Sequence, residues 1–112
     1  MDERRTPGPA IEVRLRMDAA FVYLLRCSDD SLYCGWTIDL DRRLQAHSAG
    51  KGSAYVSRRL PARYAAVWRA ESRTHARSAE ALIKRLTRPE KLALARGEPL
   101  PDALGPLVPI SL

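Results

Sequence analysis

Two tyrosines, Tyr23 and Tyr33, stand ten residues apart in the stretch 21–35, FVYLLRCSDDSLYCG. Downstream come Arg43 and His47, four residues apart, and then Glu80. These are phenol hydroxyls, one permanent cation, an imidazole and a carboxylate. Together they suit metal-assisted attack of water on a phosphodiester, which needs an in-line water, neutralised phosphate charge and help for the leaving group. A hard divalent cation prefers carboxylate oxygen and keeps several of its waters, so a single glutamate can suffice as protein ligand. A tyrosine with an ordinary pKa of about 10 can act as a base only beside a cation that lowers it. The metal, or Arg43, would supply that cation.

The elements around these residues must bring them together. Residues 20–27 are apolar, partly β-branched or aromatic, and read as a strand. Ser28-Asp29-Asp30-Ser31 is turn chemistry, and residues 32–36 form the return strand. The register decides the site. A two-residue loop sets Ser28 opposite Ser31 and puts the tyrosines on opposite faces. A three-residue loop sets Ser28 opposite Leu32 and puts both on one face, and this is the loop the site requires.

Thr37 or Asp39 then caps a helix to about Ser48, on which Leu40, Arg43, Leu44 and His47 share one inward face and Arg42 lies on the flank. Gly50-Lys51-Gly52-Ser53 ends it. Residues 54–60 read as a short helix or a loop, stopped by Pro61, and residues 63–70 as a third strand. Ser72 or Thr74 opens a helix to about Leu86, with an apolar stripe of Ala76, Ala79, Ile83 and Leu86. Glu80 falls on that stripe. An unpaired buried carboxylate is costly, which marks Glu80 as a site residue, although Lys84 stands one turn on as an ordinary ion-pair partner. Thr87-Arg88-Pro89-Glu90 is a capping box opening a last helix to about Arg96, and Gly97 stops it. The order, ββα then β then αα, predicts an α+β fold with a small three-stranded antiparallel sheet flanked by helices. Residues 1–18 read as a flexible arm, with room for a short edge strand at 10–16 and Met17 as an alternative start. Residues 19–97 read as the domain and residues 98–112 as a proline-rich tail that packs on the body or stays loose.

Composition narrows the function classes. The chain has 112 residues, the size of one domain with a small core. No apolar run approaches a membrane span, and the charged N-terminus lacks an apolar signal core, so a cytoplasmic location is expected. Cys27 and Cys34 lack metal-ligand spacing and read as free buried thiols. The formal net charge is +6, but residues 21–96 carry 15 bases against 7 acids. From Arg42 to Ala70 there is no carboxylate at all. A one-signed stretch of that length points to a polyanion, with Arg42, Lys51, Arg58 and Arg59 as phosphate contacts. His75 reads as a surface residue at a helix start, and Trp36 and Trp68 as core or rim aromatics.

Phe21-Val22-Tyr23, followed by Leu32-Tyr33-Cys34-Gly35, resembles the signature of the GIY-YIG nuclease superfamily. The likeness continues through Arg43, eight positions after Gly35, His47 one turn later, and Glu80-Ala81-Leu82-Ile83-Lys84. It covers about residues 20–96 and is nearest to the small single-domain bacterial members. The resemblance implies a DNA endonuclease using one divalent metal ion, Mg²⁺ or Mn²⁺. It assigns Tyr33 as the general base or part of its relay, and Tyr23 as the second site tyrosine. Arg43 would hold the scissile phosphate, His47 would assist there, and Glu80 would ligate the metal. Gly35 would allow close backbone approach. The first motif reads Phe-Val-Tyr rather than Gly-Ile-Tyr, Trp36 follows Gly35 where many relatives have a smaller or basic residue, and no asparagine follows the Glu80 helix. The DNA target would be selected by structure rather than base sequence. Two other readings are a binding module of the same fold without catalysis, and a nuclease subunit whose specificity comes from a protein partner on the C-terminal tail.

Overall fold

A computed structural model describes residues 19–112. The expectations for residues 1–18 lie outside that range. The elements are β1 (Ala20–Arg26), β2 (Leu32–Thr37), α1 (Leu40–Ser48), α2 (Ala54–Ser57), β3 (Arg63–Ala70), α3 (Arg73–Lys84) and α4 (Arg88–Ala95), then a 3₁₀ turn (Asp102–Leu104) and β4 (Val108–Pro109). The strands form one antiparallel sheet in the order β2-β1-β3-β4. The sheet thus has four strands rather than the three expected, because the C-terminal residues add β4 beside β3. Residues 54–57 are helical, with the Ser53 hydroxyl accepting from the backbone N–H groups of Tyr55 and Val56.

β1 pairs on both sides, and Val22, Tyr23, Leu24 and Leu25 are all fully buried, which is why its sequence is a continuous apolar run rather than an alternating one. Its even positions face one layer. There Ala20, Val22 and Leu24 pack with Cys34, Trp68 and Ala70 against Ala76, Ala79 and Ile83 of α3, and Leu94, Leu104 and Leu107 close the layer. Its odd positions face the other layer. Tyr23, Leu25 and Cys27 pack there with Val67 and Val56, and Tyr33, Leu40, Leu44 and Tyr64 surround them. Burial of a side chain such as Leu24 or Ile83 stabilises the fold by about 1.5–3 kcal/mol.

The hairpin has the three-residue loop the paired tyrosines need, one pair earlier than expected. Cys27, not Ser28, closes it: the Cys27 N–H donates to the Ser31 carbonyl at 2.9 Å, and Asp30 N–H to the Cys27 carbonyl at 2.9 Å. Tyr23 therefore stands opposite Gly35, and Leu25 opposite Tyr33. The loop ends in the left-handed conformation such turns require, and Asp30 adopts it at φ 70°. Asp29 stabilises the turn by accepting from the Ser31 N–H and hydroxyl.

The helix caps follow the sequence signals. Asp39 caps α1 through the Arg42 N–H, Ser72 caps α3 through His75 N–H, and Thr87 and Glu90 form the reciprocal box on α4. Cys27 and Cys34 are free buried thiols. Among the described residues no helix is long and apolar enough to cross a membrane.

Residues 98–112 pack on the body. Leu104 and Leu107 are buried, Ile110 N–H donates to the Val67 carbonyl at 2.9 Å, and His75 Nε2 meets the Leu104 carbonyl at 2.7 Å. His75 is therefore not the free surface residue expected. Its Nδ1 accepts from the Glu71 N–H at 3.0 Å, so the proton sits on Nε2 and is donated to Leu104.

Candidate active site

Tyr23 and Tyr33 share the sheet face covered by α1 and α2. Their surroundings differ. Tyr23 is fully buried, and its hydroxyl lies 2.9 Å from His47 Nε2. It also accepts a hydrogen bond from Arg43 Nε at 3.2 Å. The Tyr23 hydroxyl thus joins His47 to Arg43, while His47 Nδ1 is buried without a hydrogen-bond partner among the described residues. Burial pushes the Tyr23 phenol up, only partly offset by the Arg43 hydrogen bond and charge. Burial, then the Arg43 charge, push His47 down, which favours the neutral ring. Tyr64 packs edge-on against Tyr23 at 5.3 Å between ring centroids, and its hydroxyl donates to the Leu40 carbonyl at 2.7 Å, fixing the start of α1.

Two glycines make room for this network. A Cβ on Gly35 would fall within 2.5 Å of Tyr23 Cζ and still nearer its hydroxyl. The close approach that Gly35 permits is thus made by the Tyr23 ring of this chain. A Cβ on Gly52 would fall 2.5 Å from His47 Nδ1, and the Gly52 carbonyl accepts from Arg43 Nη2 at 3.1 Å. Gly52, read from sequence only as part of a helix stop, belongs to the site. The second glycine two residues after Gly50 was the available signal.

Tyr33 is half-buried, and its ring is held on several sides. His47 meets it edge-on at 5.6 Å, Tyr55 stacks on it at 6.0 Å with 24° between planes, and the Lys84 ammonium lies 5.6 Å from its centroid. Its hydroxyl has no hydrogen-bond partner among the described residues. Tyr55 was not singled out from sequence, because nothing in its local pattern distinguishes it from a surface aromatic.

Glu80 meets the sheet at β2, where its backbone carbonyl lies 4.0 Å from Cys34 Sγ. Its side chain is 19% exposed, and Oε2 lies 3.6 Å from Lys84 Nζ, the ion pair foreseen at i+4. Lys84 therefore links Glu80 to the Tyr33 ring. Among the described residues no three His, Cys, Asp or Glu side chains cluster as a metal cage. Burial, then the Glu80 charge, push the Cys34 thiol up to about 12, which favours the protonated thiol in the metal-free chain. The remaining donor is one carboxylate, which fits a hard divalent cation that keeps most of its water.

Of the four proposed phosphate contacts, Arg42, Lys51 and Arg58 are exposed and make no side-chain ion pair among the described residues. Arg59 is engaged. It pairs with Asp29 at 3.0 Å, donates to the Tyr55 carbonyl at 2.8 Å and lies 3.7 Å over the Tyr55 ring. Arg42 and Arg43 line a surface groove of about 410 Å³ with Thr37, Ile38, Asp39 and Ala46.

Residues 19–93 match the GIY-YIG catalytic domain family. The chain is 41% identical over 83 residues to the UPF0213 protein YsiG of Lactococcus lactis, covering 73% of this chain and 80% of that one. It is 39% identical over 84 residues to a UPF0213 protein of Syntrophus aciditrophicus, covering 74% of this chain and 97% of that one. The solution NMR structure of a UPF0213 protein from Bacillus halodurans is 37% identical, with a TM-score of 0.48, over 77% of this chain and 92% of that one.

Proposed function

From the premise that the chain belongs to the GIY-YIG catalytic domain family, we propose that it is a divalent-metal-dependent DNA endonuclease selective for DNA structure rather than base sequence. The observation that carries this reading is the contrast between the tyrosines. The Tyr23 hydroxyl is occupied by His47 and Arg43, whereas Tyr33 has a fixed ring and a hydroxyl without a partner among the described residues. A group positioned but not satisfied is what a proton acceptor for water requires.

In this reading Tyr33 takes the proton of the attacking water. Arg43 spends Nε on Tyr23 and Nη2 on Gly52, leaving Nη1 and the second Nη2 proton for a phosphate oxygen. His47 holds the Tyr23 hydroxyl, and so fixes the acceptor that aims Arg43. Glu80 would hold Mg²⁺ or Mn²⁺, which when bound supplies charge neutralisation on the phosphate and leaving group. Lys84 would release Glu80 as the metal takes its place. A domain of this size contacts few bases, which favours recognition of backbone shape.

The test uses the full chain with Mg²⁺ or Mn²⁺ and labelled linear, flapped, branched and single-stranded DNA. Cleavage is expected, and is expected to be lost in Tyr33→Phe, Arg43→Ala and Glu80→Gln, with DNA binding retained in Glu80→Gln. Activity surviving Glu80→Gln would refute the metal assignment. Binding by the unaltered chain without cleavage of any substrate would select a binding module instead.

A further inference from the structure

The acid-free stretch drew attention to residues 42–70, but two further cations, Arg77 and Lys84, lie one turn to either side of Glu80 on α3. β2 is an edge strand of the sheet, and α3 runs beside it. Three contacts fix their alignment: the Arg77 guanidinium lies 5.5 Å from the Trp36 ring, the Glu80 carbonyl meets Cys34, and the Lys84 ammonium lies over Tyr33. Going down the helix through 77, 80 and 84 thus means going back along the strand through 36, 34 and 33. Seven helical residues rise about 10 Å. A duplex strand advances about 3.4 Å per nucleotide along its axis, so this length matches a few nucleotides.

Arg77 is exposed and makes no ion pair with a carboxylate among the described residues. A cation held over an indole has lost part of its rotamer freedom before any ligand arrives, unlike a freely solvated arginine. The Trp36 side chain provides that seat. Lys84 is held between Glu80 and the Tyr33 ring, and its ammonium becomes available to an anion when Glu80 engages a metal.

We propose that the edge where α3 meets β2 is a rail for the nucleic-acid strand, on which Arg77 and Lys84 take the phosphates flanking the one at Glu80. The rail rests on the nuclease reading and extends it to the path of the substrate. The contacts are to the backbone, so they add affinity without base preference.

The experiment is fluorescence anisotropy of labelled flapped and linear duplex DNA with the full chain in constant Ca²⁺, a hard cation for the Glu80 carboxylate, titrated across NaCl concentration. Arg77→Gln and Lys84→Gln are each expected to lower the slope of log K against log salt by about 1, and the double variant by about 2, on both DNAs. Arg77→Lys is expected to keep the slope. Arg96→Gln, which removes a cation paired with Glu98 at 2.9 Å, is expected to leave it unchanged. Unchanged slopes in Arg77→Gln and Lys84→Gln would overturn the rail. A parallel cleavage assay in Mn²⁺ separates the two claims. Cleavage with unchanged slopes removes the rail and keeps the nuclease. Reduced slopes without cleavage by the unaltered chain keep the surface and remove the nuclease. A chain that binds neither DNA overturns both.

Discussion

Tyr23 and Tyr33 are the same residue type on the same sheet face, and burial gives them different work. Tyr23 is walled in at the centre of the sheet, with a hydroxyl that closes a network between two charged or polar side chains. Tyr23→Phe is expected to cost about 1–3 kcal/mol in urea unfolding, because His47 Nε2 and Arg43 Nε lose a buried partner. Tyr33→Phe deletes a hydroxyl with no partner among the described residues. It is expected to leave the unfolding midpoint within about 0.5 kcal/mol of the unaltered chain. In single-turnover cleavage it is expected to lower the rate by about 10²–10⁴. A large stability loss in Tyr33→Phe would show that its hydroxyl is structural. His47 gives a pH test. Its folded pKa lies below the ordinary value of about 6.5, so the unfolded chain takes up the proton first. Its contribution to stability is complete above about pH 6.5 and declines as pH falls from there through the folded pKa. Asp29 and Glu90 are held below the usual carboxylate range by the hydrogen bonds from Ser31 and Thr87, so they titrate at lower pH. Urea midpoints of the unaltered chain and His47→Gln at pH 7.5 and 5.5 read the difference. The unaltered chain should lose more stability on acidification than the variant, and equal losses would refute the assignment.

At the scale of elements, the sequence carried what is periodic or local. The capping box at Thr87 and Glu90, the Asp39 and Ser72 caps and the inward stripe through Arg43 and His47 were all readable, because each depends on neighbours within one or two turns. The shared face of the tyrosines followed from the parity of the hairpin. The closing pair did not, since Asp30 accepts the left-handed conformation often given to glycine and so lets Cys27 close the loop. The occupants of the gaps at Gly35 and Gly52 were also hidden, because each gap is filled from another element: the ring of Tyr23 in one case and that of His47 in the other. Gly35→Ala is accordingly expected to displace the Tyr23 ring from the centre of the sheet and to cost about 1–3 kcal/mol by overpacking. It should also lower cleavage by disturbing Arg43. Near-native melting and activity in Gly35→Ala would show that the space is not needed. The tie between α2 and the hairpin tip was likewise invisible, since Arg59, held over the Tyr55 ring, meets Asp29 across 30 residues of chain. Tyr55→Ala is expected to slow single-turnover cleavage by releasing the Tyr33 ring, whereas Tyr55→Phe keeps the stack and should restore it. Equal rates for Tyr55→Ala and the unaltered chain would refute that positioning role.

At the scale of the molecule, the two faces of the sheet differ in what they hold: most of the proposed site on one, most of the apolar core on the other. The tyrosine face, with α1 and α2, holds the polar network. The opposite face, with α3, α4 and the C-terminal residues, holds most of the apolar core. α3 serves both, since Ala76, Ala79 and Ile83 are buried while Glu80 emerges at the β2 edge. The C-terminal residues belong to the support. Their prolines marked them in sequence as a tail that packs on the body or stays loose; they pack, with Leu104 of the 3₁₀ turn and Leu107 entering the core and β4 covering the outer edge of β3. The family match ends at residue 93, before these contacts begin. The His75 imidazole pins the 3₁₀ turn to α3. Removal of residues 98–112 would therefore expose apolar surface of β3 and α3 while leaving every proposed site residue in the chain. Two buried leucines at about 1.5–3 kcal/mol each put the loss at about 3–6 kcal/mol, a large share of the stability of a domain this size. The 1–97 chain is expected to melt well below the full chain by circular dichroism, and Leu104→Ala to show a smaller loss of about 2–5 kcal/mol. If the truncated chain melts with the full one, the tail is an appendage and the domain closes at Gly97. If it melts low but recovers cleavage at low temperature, the tail supports the fold and takes no part in the chemistry, as the separation of the two faces requires.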